Sequence, residues 1–205
     1  MRNVYPLFST PVFSNNVDIS FQEKKFICNE KYEILEPVKN GLISINKHVL
    51  NKKELKNLKE CILKEVNFYA YEVLDLKKEI KLYVSNSWII FHKKDHFSQT
   101  HYHSNSFISG VLYLKTPIDC GNIVFHSPYN VYSLNPIINI PFKKWNQYNS
   151  KVWTLPVKEN QLLLFSSNLS HSVEQNKSSE TRICLAFNIL VKGDLSDTEI
   201  GKFKL

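Results

Sequence analysis

Apolar positions change their period once along this chain, near residue 80. Before it, "VYPLF" and "VFS", separated by the Thr10-Pro11 break, read as short extended segments. From Asn51 the spacing predicts a helix. Asn51 and Glu54 fit a capping box, and Leu50 and Leu55 fit a hydrophobic staple. Leu55, Leu58, Ile62, Val66, Tyr69 and Val73 then recur at helical intervals, the pattern of a single buried stripe.

Beyond residue 80 the runs are short and β-rich: "IKLYVSNSWIIFHK", "FISGVLYLK", "GNIVFHS", "VYSLN", "QLLLFS" and "RICLAFNILVK". Pro, Asn, Gly and Ser punctuate them. Many short strands after a helical segment predict a mainly β sandwich or small barrel with helices packed on one side. Neither a repeat nor a linker divides residues 1–205, so one domain is expected. Its helical support covers about 51–75 and its β core about 80–193.

Composition adds limits. With 43% apolar and 22% charged residues, 205 residues suffice for one sizeable core. Five glycines argue against a Gly-rich phosphate-binding fold. No apolar run is long enough to span a bilayer, and the N-terminus lacks the apolar stretch of a signal peptide. Cys28, Cys61, Cys120 and Cys184 never pair as C-x-x-C, the usage of a reduced cytoplasmic protein. The net charge of +7 is spread over lysines without a basic block interleaved with aromatics, so a nucleic-acid partner is not expected.

Candidate chemistry begins at "HYHSNSF". On a strand, residues i and i+2 share a face, so His101 and His103 would project together. Imidazole is the commonest protein ligand for iron, zinc and copper. His171 follows the apolar run "QLLLFS", and Arg182 enters "RICLAFN" eleven residues later. An arginine facing inward there needs an anionic partner, because a buried unpaired charge is costly. Parity puts Cys184, Ala186 and Asn188 on the face of Arg182.

H-x-H, a distant His and an Arg some ten residues later resemble the iron(II), 2-oxoglutarate-dependent oxygenases. The likeness narrows to the branch with the pattern H-x-H-x5-S-G-x2-Y, then F-P-S-x3-H, then R-x-S-x2-F-N, related to prolyl hydroxylase-like enzymes. "THYHSNSFISGVLYL", "LLLFSSNLSHSV" and "RICLAFN" carry it, with "PLFSTPV", "SNSW" and "GNIVFHSP" in the same order. It spans nearly the whole chain, least tightly over about 129–158.

The resemblance implies a double-stranded β-helix (the cupin-like jelly roll). It implies Fe(II), 2-oxoglutarate and O2 as cofactor and cosubstrates, with hydroxylation coupled to release of succinate and CO2. His101 and His171 become metal ligands. His103 stands where the wider superfamily has an acid. The third ligand is then His103 itself, a carboxylate such as Asp95, Asp119 or Glu174, or water; strand parity favours His103. Arg182 pairs with the far carboxylate of 2-oxoglutarate, assisted by Tyr113 or Ser109, because the family serine is Cys184 here. Asn86, Trp88 and Asn188 are candidate substrate contacts. Trp88 reads more readily as core.

A peptide side chain or a small amino-acid-like molecule is the expected substrate. Jelly-roll oxygenases often form homodimers, and no segment here marks an interface. Two other readings stay open. One is a three-histidine metal enzyme, either a cupin-type dioxygenase or a zinc enzyme, without 2-oxoglutarate. The other is a non-catalytic jelly-roll binding protein. His126 reads as a turn or a pocket residue, His92 and His96 as strand-end or loop residues, and His48 as exposed. Tyr129, Tyr132, Trp145, Tyr148 and Trp153 either line a cleft or pack a long loop.

Overall fold

The computed structural model describes residues 2–34, 41–128, 141–196, 198, 200, 201 and 203–205. Its strands are β1 (Val12–Asn16), β2 (Tyr32–Ile34), β3 (Leu42–Ser44), β4 (Lys81–His92), β5 (Ser98–His101) and β6 (Ile108–Lys115). They continue with β7 (Ile123–His126), β8 (Val152–Leu155), β9 (Gln161–Ser166), β10 (His171–Val173) and β11 (Arg182–Lys192). The helices are α1 (Phe21–Cys28) and α2 (Lys56–Phe68).

The strands form two antiparallel sheets. The major sheet has the order β1-β9-β6-β11-β4-β3-β2, and the minor sheet β5-β10-β7-β8. Alternation divides the major sheet's side chains between two cores. On its outer face Ile183, Leu185, Phe187 and Ile189 of β11 pack with Leu58, Ile62 and Val66 of α2 and Ile27 of α1. On its inner face Val111, Tyr113, Leu163, Phe165 and Cys184 meet Ile123 and Phe125 of the minor sheet. This is a double-stranded β-helix with its helices on one side. Gly110 lies opposite Phe187 on the outer face, where a Cβ would collide with the ring.

Several local expectations are overturned. "VYPLF" forms no strand, and its side chains are exposed. Asn51 does not cap α2; it closes a 3₁₀ turn, and the α-helix starts five residues later at Lys56. Glu23 supplies the missing acceptor from elsewhere. Its Oε1 accepts the Leu58 amide at 3.0 Å, while Oε2 accepts from Ser20 N and Oγ at 3.0 and 2.6 Å. One buried carboxylate thus completes the capping box of α1 and satisfies a first-turn donor of α2. The motif S-x-x-E at Ser20 signalled α1, which periodicity alone did not reveal.

Leu55, Leu58, Ile62, Val66 and Tyr69 are buried as the stripe requires, but Val73 is 42% exposed. A π-helical turn over Tyr69–Val73 shifts the phase and buries Ala70 instead. "VYSLN" lies outside the described residues. Strands β2, β3, β5 and β8 are too short or too polar to show a period-two pattern.

Because Glu23 serves both helices, Glu23→Ala is expected to destabilise the fold by about 2–4 kcal/mol, beyond the loss of a single cap. Urea denaturation of wild type, Glu23→Ala and Ser20→Ala measures this. A Glu23 effect no larger than that of Ser20 would refute the dual role.

Candidate metal centre

His101 ends β5 and His171 opens β10, directly opposite one another in the minor sheet. On its other side His171 faces Phe125 of β7, which faces Trp153 of β8. His101, His171, Phe125 and Trp153 therefore form one row across the sheet. His103 lies beyond the end of β5, so strand parity does not position it. Backbone hydrogen bonds do: His103 N donates to Ser167 O at 2.9 Å, and Ser167 N to Phe107 O at 3.1 Å. The ligand atoms of His101, His103 and His171 come within 4.8 Å of one another.

The tautomers of two of the three follow from their partners. His101 Nδ1 lies 2.7 Å from Gln99 O, and His171 Nδ1 lies 2.9 Å from Leu169 O. A carbonyl only accepts, so both Nδ1 atoms carry the proton and both Nε2 atoms keep a bare lone pair. His103 Nδ1 meets the Asn188 side-chain oxygen at 2.6 Å and Ser109 Oγ at 2.9 Å. Burial, then the neighbouring His101, push the His171 pKa down to about 3. Burial also lowers that of His103, against the opposing Asn188 hydrogen bond. His103 and His171 are thus biased toward neutral imidazoles, the form that binds a divalent transition metal.

Among the described residues no carboxylate joins the cluster. Asp95 accepts from Gln175 Nε2 at 3.1 Å, and Glu174 accepts from Asn122 N and Nδ2, both at 2.9 Å. Asp119 holds a left-handed turn. His126 alternates with the inward Phe125 and bonds Ser172 Oγ at 3.0 Å. His92 is a buried strand end opposite Arg182, and His48 is exposed.

Arg182, Cys184, Ala186 and Asn188 share the inner face of β11. The Arg182 side chain is 1% exposed, with its guanidinium carbon 5.1 Å from the centroid of the Tyr113 ring. Among the described residues its Nε and Nη1 have no hydrogen-bond partner, and neither does Tyr113 Oη. Burial raises the Tyr113 pKa and those of Cys184 and Cys120, keeping all three protonated and uncharged. Among the described residues the interior therefore presents a fixed cation and a phenol donor without a paired anion, an arrangement complementary to a carboxylate.

Of the other candidates, Asn86 pairs in register with Asn188, and the Trp88 ring stands 5.7 Å from that of His103. Trp88 is half-buried beside the histidines rather than a core residue. Ser109 is committed to His103, Asn188 and Ser167, so its hydroxyl is not held for a cosubstrate. Trp145, Tyr148 and Trp153 are each about half exposed and do not pack a loop core. Tyr129 and Tyr132 lie outside the described residues. Two contributors escaped the sequence reading: Ser167 and Ser106 were indistinguishable from ordinary turn serines.

The profile of one protein family, "Putative 2OG-Fe(II) oxygenase", matches residues 86–188, half of the chain and the span that carries all these inner-face groups. The chain belongs to this 2OG-Fe(II) oxygenase family. Similar folds occur in solved structures. The carbocyclase SnoK of nogalamycin biosynthesis, described as alpha-ketoglutarate dependent, superposes with a TM-score of 0.61 at 13% identity, covering 90% of this oxygenase and 82% of SnoK. HygX from Streptomyces hygroscopicus, with nickel, 2-oxoglutarate and hygromycin B bound, gives 0.57 at 12% identity over 88% and 82%. A 2OG-Fe(II) oxygenase family oxidoreductase from Burkholderia pseudomallei gives 0.57 at 12% over 87% and 83%. At these identities the likeness establishes the fold. No curated protein matches the oxygenase in sequence.

The depressed His171 pKa has a measurable consequence. Between pH 6.5 and about 3 the unfolded chain binds a proton at this residue that the folded oxygenase does not. Stability of the metal-free protein therefore declines as pH falls through that window. Melting temperatures recorded from about pH 7.5 to 4.5 are expected to drop, and His171→Gln to flatten part of the drop. Parallel profiles would mean that His171 titrates freely in the fold.

Proposed function

We propose that this oxygenase binds Fe(II) through Nε2 of His101, His103 and His171 and takes 2-oxoglutarate and O2 as cosubstrates. When bound, the iron and its cosubstrates supply the oxidising power, with succinate and CO2 as the coproducts of substrate hydroxylation. The observation that carries the reading is Arg182, a buried cation with two nitrogens that have no hydrogen-bond partner among the described residues. Leaving such a group unpaired costs several kcal/mol, so its retention calls for an anionic ligand. Arg182 would hold the far carboxylate of 2-oxoglutarate, and Tyr113, protonated and beside the guanidinium, would donate to it. The donor set fits the metal: three imidazoles suit a divalent iron and leave positions open for cosubstrates.

The substrate enters from the open side of the row, where His101 and Trp153 are exposed. Trp153 stands two strands from His171, about 10 Å away at the usual strand spacing. With Trp88 and Asn86 it would frame a small molecule presented to the metal. HygX, solved with hygromycin B bound, lends this class support over a peptide.

Calorimetric titration of 2-oxoglutarate into anaerobic, Fe(II)-loaded protein tests the reading. Binding is expected to require iron, and Arg182→Met to weaken it by about 100-fold or more. The same variant is expected to raise the melting temperature of the ligand-free protein, because it removes a buried unpaired charge. Iron binding without 2-oxoglutarate affinity would reject the proposal in favour of a three-histidine dioxygenase or a zinc enzyme.

A further inference from the structure

The groups behind His103 form a hydrogen-bond chain with a direction. Ser106 Oγ lies 3.2 Å from Ile108 O and 3.3 Å from Ile189 O. These carbonyls only accept, so the Ser106 proton points to them. Ser167 Oγ donates to Ser106 Oγ at 2.8 Å. The single Ser109 proton goes to Ser167 Oγ at 2.9 Å, to the Asn188 side-chain oxygen at 3.1 Å or to His103 Nδ1 at 2.9 Å. The contact that decides is the one between His103 Nδ1 and the Asn188 oxygen, which only accepts. A bare Nδ1 at 2.6 Å from an amide oxygen would set two lone pairs against each other. The proton must lie between them.

We infer that Asn188 is a positioning residue: with Ser109, Ser167 and Ser106 behind it, its side-chain oxygen fixes His103 in the Nδ1–H form and presents Nε2 to the metal. This rests on the reading of His103 as a ligand. It also replaces the expectation that Asn188 contacts substrate. His101 and His171 take the same service from rigid backbone carbonyls, Gln99 O and Leu169 O. His103 stands outside the strand and has no such carbonyl, so a side chain of the central strand supplies the acceptor. Asn188 is itself held. Ser85 Oγ, at the irregularity in the β4–β11 pairing, donates to the Asn188 carbonyl at 3.2 Å.

Long-range proton–nitrogen NMR of ¹⁵N-labelled, metal-free protein reads the tautomer directly. His103 is expected to be protonated at Nδ1 and bare at Nε2. Asn188→Ala is expected to lose this preference and to weaken Fe(II) binding, measured anaerobically against a competing chelator, by about 10-fold or more. Asn188→Asp, which keeps an acceptor in place, is expected to restore both. An Nε2–H tautomer in wild type would overturn the inference, as would unchanged tautomer and affinity in Asn188→Ala. If Asn188→Ala does not fold, the wild-type spectrum and Ser109→Ala, expected to weaken Fe(II) in the same direction, decide it. His103→Ala with unchanged Fe(II) affinity would defeat the ligand reading itself, a result distinct from a wrong tautomer.

Discussion

The register of β11 between β4 and β6 is the constraint on which core and site both depend. One face of this strand carries Ile183, Leu185, Phe187 and Ile189 into the helix-covered core, and the other carries Arg182, Cys184, Ala186 and Asn188 into the space between the sheets. A slip of one residue would drive a guanidinium into hydrocarbon and expose four large apolar side chains. The outer-face packing thereby fixes where the cation and the amide sit. Two irregularities tune that register, one in the pairing with β6 between Ile183 and Cys184, the other in the pairing with β4 between Asn188 and Ile189. They lie beside the two functional groups, where re-aiming a side chain matters most.

Charge follows the same economy. Burial favours the neutral form of His103 and His171, and no carboxylate among the described residues joins the three histidines. Bound Fe(II) would keep its full double charge, where an ordinary acid-containing triad leaves one positive charge. On the proposed reading, a dicarboxylate cosubstrate would balance that charge at one end and Arg182 would take the other. In the free protein the guanidinium is a standing electrostatic cost, compensated by the stability of the outer-face core. Binding and stability are thus set against each other at a single residue, a common condition of functional sites.

The long elements and the inner face were legible because they obey a period. β4, β6, β9 and β11 are uniformly rich in β-formers, and the stripe of α2 holds until the π-helical turn breaks its phase at Val73. Arg182 and Asn188 could be assigned to one face because i and i+6 on a strand point alike. What was not legible depended on contacts distant in sequence. The cap of α2 comes from Glu23, 35 residues away, which no local motif at Asn51 could reveal. His103 was placed on the right side for the wrong reason. Parity suggested a strand residue, whereas the position results from a loop stapled to Ser167.

That staple also explains how a residue outside the sheet can be as fixed as the two within it. His101 and His171 inherit their orientation from neighbouring strands, each with a carbonyl two residues upstream to hold Nδ1. His103 has its backbone tied to Ser167 and its ring tied to Asn188, while the Ser167 hydroxyl belongs to the chain that supports Asn188 from behind. Backbone and ring are therefore anchored to β9 and β11 through overlapping groups, so displacement of either anchor disturbs both. A carboxylate at position 103 would bring oxygen acceptors to a place where the neighbouring amide oxygen already accepts, and would require the amide to turn over. The choice of histidine over an acid is in this sense written into the strand behind it: an acceptor at Asn188 calls for a donor at residue 103, and imidazole is the side chain that can donate at one nitrogen while offering a lone pair at the other.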